Sequence, residues 1–335
     1  FLSRRFNNQI LIKREDLQPV FSFKIRGAYN KMAQLTQDQK DKGVIAASAG
    51  NHAQGLAMAA KLMGVKAVIV MPRITPDIKV QAVRARGAKV ILKGDAFAAA
   101  AEHAQELIKE HGYTYIPPFD DIDVVAGQGT IGVEILRQHA GRLDAIFVPV
   151  GGGGLIAGVA AYVKYLRPDI KVIGVEAEDS ACLKAALEAG ERVVLEQVGV
   201  FAEGVAVAQI GEVPFSLIKD LIDGVITVNT DEMCAAVKDI FEDTRAVAET
   251  SGALSLAGLK KYVQQTGAEG ETLLCINSGA NTNFDRLQHI AERTELGEQR
   301  EAILAVTIAE NPGSFKKFCR TLGKRMVTEF SYRYA

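Results

Sequence analysis

Four short stretches carry residue types suited to chemistry. The first is Ser22-Phe23-Lys24-Ile25-Arg26-Gly27. Apolar residues recur at Ile25, Ala28/Tyr29, Met32 and Leu35, a helical spacing that makes Ser22 the expected N-cap and puts Lys24 in the first turn. Orphan N–H groups and the helix dipole disfavour a positive charge there. A free lysine titrates near ~10.4. The helix start, Phe23 and partial burial push toward the neutral amine, the form that makes Schiff bases. The hexapeptide alone favours a plain surface lysine on an amphipathic helix; the other three stretches reverse that preference.

The strongest of them is Val150-Gly151-Gly152-Gly153-Gly154-Leu155, which follows an apolar strand and opens a helix. Consecutive glycines let the backbone approach an anion, with N–H groups and the helix N-terminus aimed at it. A tight strand–helix turn needs fewer than four, so the run reads as a phosphate cradle. It lacks the Lys-Ser/Thr of a P-loop. Gly152, Gly154 and Gly158 approach a dinucleotide fingerprint, but the acid is poorly placed. Next, Ser48-Ala49-Gly50-Asn51-His52-Ala53-Gln54-Gly55 lies between a strand and a helix, where open α/β sheets bind ligands. Its N–H groups can hold a carboxylate, and Asn51 can donate to a phenolate-like oxygen. An ordinary capped helix start would look the same, and His52 reads as a helix-start hydrogen-bonding residue before it reads as a base. The last stretch, Ile276-Asn277-Ser278-Gly279-Ala280-Asn281, is another strand end. Its serine hydroxyl can hydrogen-bond a ring nitrogen without carrying charge, although an ST-type turn would account for it in isolation.

A lysine poised for a Schiff base, a cradle for one phosphate, an amide for a ring oxygen and a hydroxyl for a ring nitrogen describe pyridoxal phosphate. In order and over roughly residues 1–290, the four motifs resemble those of the fold-type-II (tryptophan synthase β-like) pyridoxal-phosphate enzymes. The flanks Lys13-Arg-Glu-Asp16, Pro117-Pro-Phe-Asp120, Ala126-Gly-Gln-Gly-Thr130, Glu176-Ala-Glu-Asp-Ser180 and Phe201-Ala-Glu-Gly-Val205 are similar to the biosynthetic threonine dehydratase branch.

The resemblance implies a set of roles. Lys24 would hold the cofactor and, once displaced by substrate, take the Cα proton. Phe23 would lie close to the pyridine ring, Asn51 would bond the ring oxygen, and Ser278 would face the ring nitrogen. Gly151, Gly152, Gly153, Gly154 and Leu155 would bind the phosphate. Ser48, Ala49, Gly50, Asn51 and His52 would hold the substrate carboxylate. A neutral hydroxyl at the ring nitrogen suits rapid β-elimination better than transamination. The implied reaction is deamination of L-threonine to 2-oxobutanoate and ammonia by α,β-elimination of water, the first step of isoleucine biosynthesis. Serine racemases of the family carry a second serine where this chain has Ala49, which argues for a dehydratase. The alternatives are serine dehydratase or a β-replacement enzyme such as cysteine synthase, then a catalytically silent amino-acid sensor, then a nucleotide-binding protein built on the glycine run. The role of Glu203, at a substrate or at a cation, stays open.

These residues need elements to position them, and the chain supplies strand–helix alternation from Ile10 to Asn277. Several strands, such as Ala67–Met71 and Ile146–Val150, are apolar on both faces. That pattern predicts parallel sheets covered by helices, in two open α/β subdomains of a catalytic domain over 1–290, the smaller about 43–135. A charged, mostly helical connector follows at 291–300. Strand-like runs at 301–308 and 325–333 flank an amphipathic helix at 314–322. That tail, 301–335, resembles the start of an ACT-like α+β regulatory domain, which in the biosynthetic enzymes senses isoleucine and valine. The chain starts at Phe1 without Met and stops in its last strand-like run, so it reads as a fragment trimmed at both ends.

At 335 residues, 48% hydrophobic and 24% charged, the chain can bury two or three ordinary cores. A net charge of −1 gives no electrostatic case for nucleic acid or a membrane surface. Cys182, Cys234, Cys275 and Cys319 are too dispersed for a zinc site or a disulfide framework, which fits a reduced cytoplasmic enzyme without a metal. The resemblance adds a homo-oligomer, a tetramer, as the expected assembly.

Overall fold

Strands buried at every position need helices on both faces, and that requirement sets the architecture. The computed structural model describes residues 1–298 and 300–333. Its strands are β1 (Gln9–Arg14), β2 (Val44–Ala47), β3 (Ala67–Met71), β4 (Lys89–Leu92), β5 (Thr114–Tyr115), β6 (Ala145–Pro149), β7 (Lys171–Ala177), β8 (Gly224–Val228) and β9 (Thr272–Asn277). They form a five-stranded sheet in the order β1-β9-β6-β7-β8 and a four-stranded sheet in the order β4-β3-β2-β5. Every pairing is parallel, with Leu11 opposite Leu274 and Phe147 opposite Cys275 in the larger sheet. The smaller sheet is thus an insertion between β1 and β6. β2, β3 and β6 are buried throughout, as their unbroken apolar runs predict.

The helix Ile122–Gln138 joins the two halves. It packs on the lysine-bearing helix Lys24–Ala33 on one side and on the helix Gly154–Leu166, which follows the glycine run, on the other. Both approaches are backbone to backbone. A Cβ on Gly127 would lie 2.6 Å from the Arg26 carbonyl oxygen and from Gly27 Cα. One on Gly158 would lie 2.3 Å from the Val125 carbonyl oxygen. Asp121 caps this helix by accepting from the N–H groups of Asp123 and Val124. Arg26 adds charge to the junction, pairing with Glu15 after β1 and with Glu134 on the helix, both at 2.7 Å. The hydrogen bonds from Arg26 and Lys13 hold the Glu134 carboxyl down at about 2.

The lysine helix ends at Ala33, and Gly43, at φ 98°, closes a separate helix Gln37–Lys42 that carries a Thr36/Gln39 capping box. One local reading needs correction. In the tail, the helix Ser314–Leu322 forms, but neither 301–308 nor 325–333 pairs into a sheet among the described residues. Two such segments and one helix have no sheet to join, and Ile303, Leu304 and Met326 stay exposed. Gln299 in the expected connector, and Tyr334 and Ala335 in the expected regulatory segment, lie outside the described residues; the helix Arg286–Gly297 occupies most of that connector.

Because the Gly127 contact is with backbone, which cannot rotate away, Gly127→Ala is expected to lower stability by about 1–3 kcal/mol. Denaturant unfolding measures this; an unchanged midpoint would mean that the two helices part without penalty.

Candidate active site

All parallel strands of a sheet deliver their loops to one edge, and ligands of open α/β sheets bind there. Ser48 follows β2, Gly151 follows β6 and Ser278 follows β9. The lysine segment is stitched across that edge. Ser22 and Gly279 form an antiparallel bridge. The Phe23 N–H donates to the Ser278 carbonyl at 3.2 Å, and the Ala280 N–H donates to the Phe21 carbonyl at 2.9 Å. The bridge overturns the reading of Ser22 as N-cap. Phe23 occupies that position without a side-chain bond, and the Ser22 hydroxyl is buried with no hydrogen-bond partner.

Lys24 is therefore the first helical residue, and its amine is enclosed. Nζ donates to the Pro118 carbonyl oxygen at 2.9 Å and lies 5.3 Å from the centre of the Phe23 ring. Burial pulls its pKa down to about 8, against the opposing charge of Glu249. Across the cavity, Gly153 caps the helix Gly154–Leu166 with φ 87°. A side chain at Gly152 would strike the Phe119 ring at 2.2 Å, and one at Gly153 would strike Ile210 at 2.5 Å. The bare backbone is thus required, and the first-turn N–H groups have no partner within the helix.

One cavity of about 440 Å³, open to solvent, is lined by Phe23, Lys24, Asn51, the run Gly151–Leu155 and Ser278. All four stretches therefore meet. Asn51 donates from Nδ2 to Glu249 at 2.7 Å and accepts on Oδ1 from Asn281 at 2.7 Å. The buried Ser278 hydroxyl donates to the Ser251 carbonyl at 3.3 Å. Of the five residues expected to hold a carboxylate, only Asn51 lines this cavity. Ser48, Ala49 and Gly50 are half-buried beside it, and the Ser48 hydroxyl accepts from the Gly50 N–H at 3.4 Å. His52 is buried, its Nε2 lies 2.8 Å from the Ile116 carbonyl oxygen, and burial takes its pKa down to about 4. A neutral ring held in this way is a structural group.

Glu203 lines a second cavity that shares Gly204, Glu249 and Ser251 with the first, and it pairs with Lys79 from the smaller half and with Arg286 at 2.8 Å. The sequence alone does not mark Glu249 and Ser251, which also line the cavity, or the roles of Pro118 and Phe119; Gly204 and Val205, from the flank Phe201–Val205, line it too. Pro117-Pro-Phe-Asp120 is one of the flanks that carry the family resemblance. It holds the amine through Pro118, packs the glycine run through Phe119, and accepts the Val213 N–H on Asp120 at 2.8 Å. Glu249 stands at an unremarkable helix start and carried no signal.

A donor set of backbone N–H groups, a hydroxyl, an amide and an amine of lowered pKa around one cavity fits pyridoxal phosphate. Residues 1–279 match the pyridoxal-phosphate dependent enzyme family, and the chain belongs to that family. Residues 292–335 match the C-terminal regulatory domain of threonine dehydratase. The chain is 59% identical over 337 residues to a biosynthetic L-threonine dehydratase of Burkholderia multivorans and 61% identical over 334 residues to that of Escherichia coli. All of this chain is aligned in both cases, and it spans 66% and 65% of those relatives. The processed form of threonine deaminase isoform 2 from Solanum lycopersicum superimposes with a TM-score of 0.86 at 49% identity, over 88% of this chain and 85% of that one.

A Lys24 amine that is to hold pyridoxal phosphate would have to be neutral to react, so uptake should follow its deprotonation. The rate of pyridoxal phosphate incorporation into the apoprotein is expected to rise with pH, reaching half its maximum near pH 8 and levelling off above about pH 9. A rise continuing to pH 10 would place the amine in water.

Proposed function

We propose that this chain deaminates L-threonine to 2-oxobutanoate and ammonia. The observation that carries the reading is the convergence of the Lys24 amine, the Gly151–Leu155 backbone, the Asn51 amide and the Ser278 hydroxyl on one cavity. The likeness to biosynthetic threonine dehydratases supports the choice of substrate.

Pyridoxal phosphate, when bound, supplies an electron sink for charge developing at the substrate Cα. Lys24 would hold it covalently, beside Phe23. The first-turn N–H groups of Gly154–Leu166 and the preceding glycines would hold its phosphate. Asn51 would donate to its ring oxygen, and Ser278 would face its ring nitrogen without adding a charge. The loop from Ser48 to His52 would take the substrate carboxylate through backbone N–H groups. The Lys24 amine, released by substrate, would take the Cα proton, and the Pro118 carbonyl keeps that nitrogen in place. The Cβ–oxygen bond then breaks and the hydroxyl leaves as water. The free enamine product takes up water and releases ammonia, giving 2-oxobutanoate. Ala49 offers no hydroxyl to return a proton to the opposite face, which favours elimination over racemisation.

Isoleucine and valine are the proposed effectors of a longer protein that completes the segment matched at 292–335. A homo-oligomer, a tetramer, is the proposed assembly, and the cytoplasm the proposed compartment. No helix among the described residues is long and apolar enough to cross a membrane.

With pyridoxal phosphate added, L-threonine is expected to yield 2-oxobutanoate faster than L-serine yields pyruvate, and O-acetylserine with sulfide to yield no cysteine. Lys24→Ala should lower turnover by about 10³-fold or more while leaving the unfolding midpoint nearly unchanged. Pyruvate from serine as the faster product would replace threonine with serine as substrate.

A further inference from the structure

Among the residues lining the main cavity, only Lys24 and Glu249 carry titratable side chains, and no role above uses Glu249. Its Oε1 accepts from Asn51 Nδ2 at 2.7 Å and from the Ser251 hydroxyl at 2.9 Å. The opposite end of the Asn51 amide, Oδ1, accepts from Asn281 Nδ2 at 2.7 Å. Asn281 is itself anchored, donating from the same nitrogen to the Val20 carbonyl oxygen at 2.8 Å. The two ends of an amide differ little in shape and are told apart by their partners. Here an acceptor abuts one end and a donor the other, so only one orientation satisfies both. Nδ2 carries two hydrogens; Glu249 takes one, and the second is free for a ligand in the cavity.

We propose that Glu249 is a positioning residue for the cofactor: with Asn281 it clamps the Asn51 amide so that an N–H, and never the carbonyl, meets the ring oxygen of pyridoxal phosphate. A carbonyl turned toward that oxygen would set two acceptors against each other. Burial pushes the Glu249 carboxyl pKa up, while the bonds from Ser251 and Asn51 and the charge of Lys79 oppose the rise. Protonated or not, the carboxyl keeps an oxygen that accepts from Asn51, so the clamp holds in both states. The inference rests on membership of the cofactor family and is independent of threonine as substrate.

The test is a titration of apoprotein with pyridoxal phosphate, reading the dissociation constant and the visible absorption maximum of the bound cofactor. Glu249→Ala and Asn281→Ala are each expected to weaken binding roughly tenfold and to move the maximum. Glu249→Gln retains an acceptor oxygen and should stay within about threefold of the parent. In an Asn51→Ala background, neither alanine substitution should weaken binding further, because the group they orient is gone. Losses that add in that background would overturn the clamp, as would a glutamine variant as weak as the alanine one. If Glu249→Ala does not fold, Asn281→Ala decides alone, since it leaves the buried carboxyl in place: coupling to Asn51 supports the clamp and additivity overturns it.

Discussion

Burying the Lys24 amine with a carbonyl, and not a carboxylate, as its hydrogen-bond partner is the constraint on which the rest of the structure depends. Desolvation disfavours the ammonium form, and the fall to about 8 corresponds to roughly 3 kcal/mol against it. A carboxylate hydrogen-bonded to Nζ would favour the ammonium form and raise the pKa again. Pro118 binds the nitrogen with a neutral acceptor. The carboxyl that shares the cavity, Glu249, is engaged by Asn51 and Ser251, and burial biases it toward its own neutral form.

The helix bearing this amine has to be held in place without charges close to Nζ. Three contacts do so. The Ser22–Gly279 bridge and the adjoining backbone hydrogen bonds tie its start to the loop after β9. The Gly27–Gly127 approach seats its middle on the helix Ile122–Gln138. Arg26, two residues beyond Lys24, is absorbed by Glu15 and Glu134. The helix Ile122–Gln138 also meets Gly158 through Val125 and Gly129, so one element sets both the amine and the glycine cradle. The distance between these two groups is then fixed by backbone packing, which is less compressible than side-chain contact.

Much of the site is legible in the chain order because each part is local. A lysine at a helix start, four glycines between a strand and a helix, and an asparagine or a serine at a strand end all act through atoms within a few residues of one another. Strand–helix alternation with unbroken apolar strands likewise specifies parallel sheets. Where a local pattern had two outcomes, long-range pairing chose. Ser22 looked like a cap, but the bridge to Gly279 took its backbone and left its hydroxyl inside. His52 began a helix as expected, but its ring turned to the Ile116 carbonyl. The alternating apolar runs in the tail have the period of strands and pair into no sheet among the described residues.

The sequence by itself determined which groups are available: an amine, a run of bare backbone N–H groups, an amide and a hydroxyl, each at a strand or helix end whose geometry a few neighbouring residues dictate. Only the tertiary structure decided how they work together. Glu249 reaches Asn51 across 198 positions of chain, Pro118 reaches Lys24 across 94, and Asn281 reaches Asn51 across 230. The physical reason is that hydrogen bonds and desolvation act over a few ångströms in space, and no spacing along the chain reports which distant residues the two sheets will bring within that range.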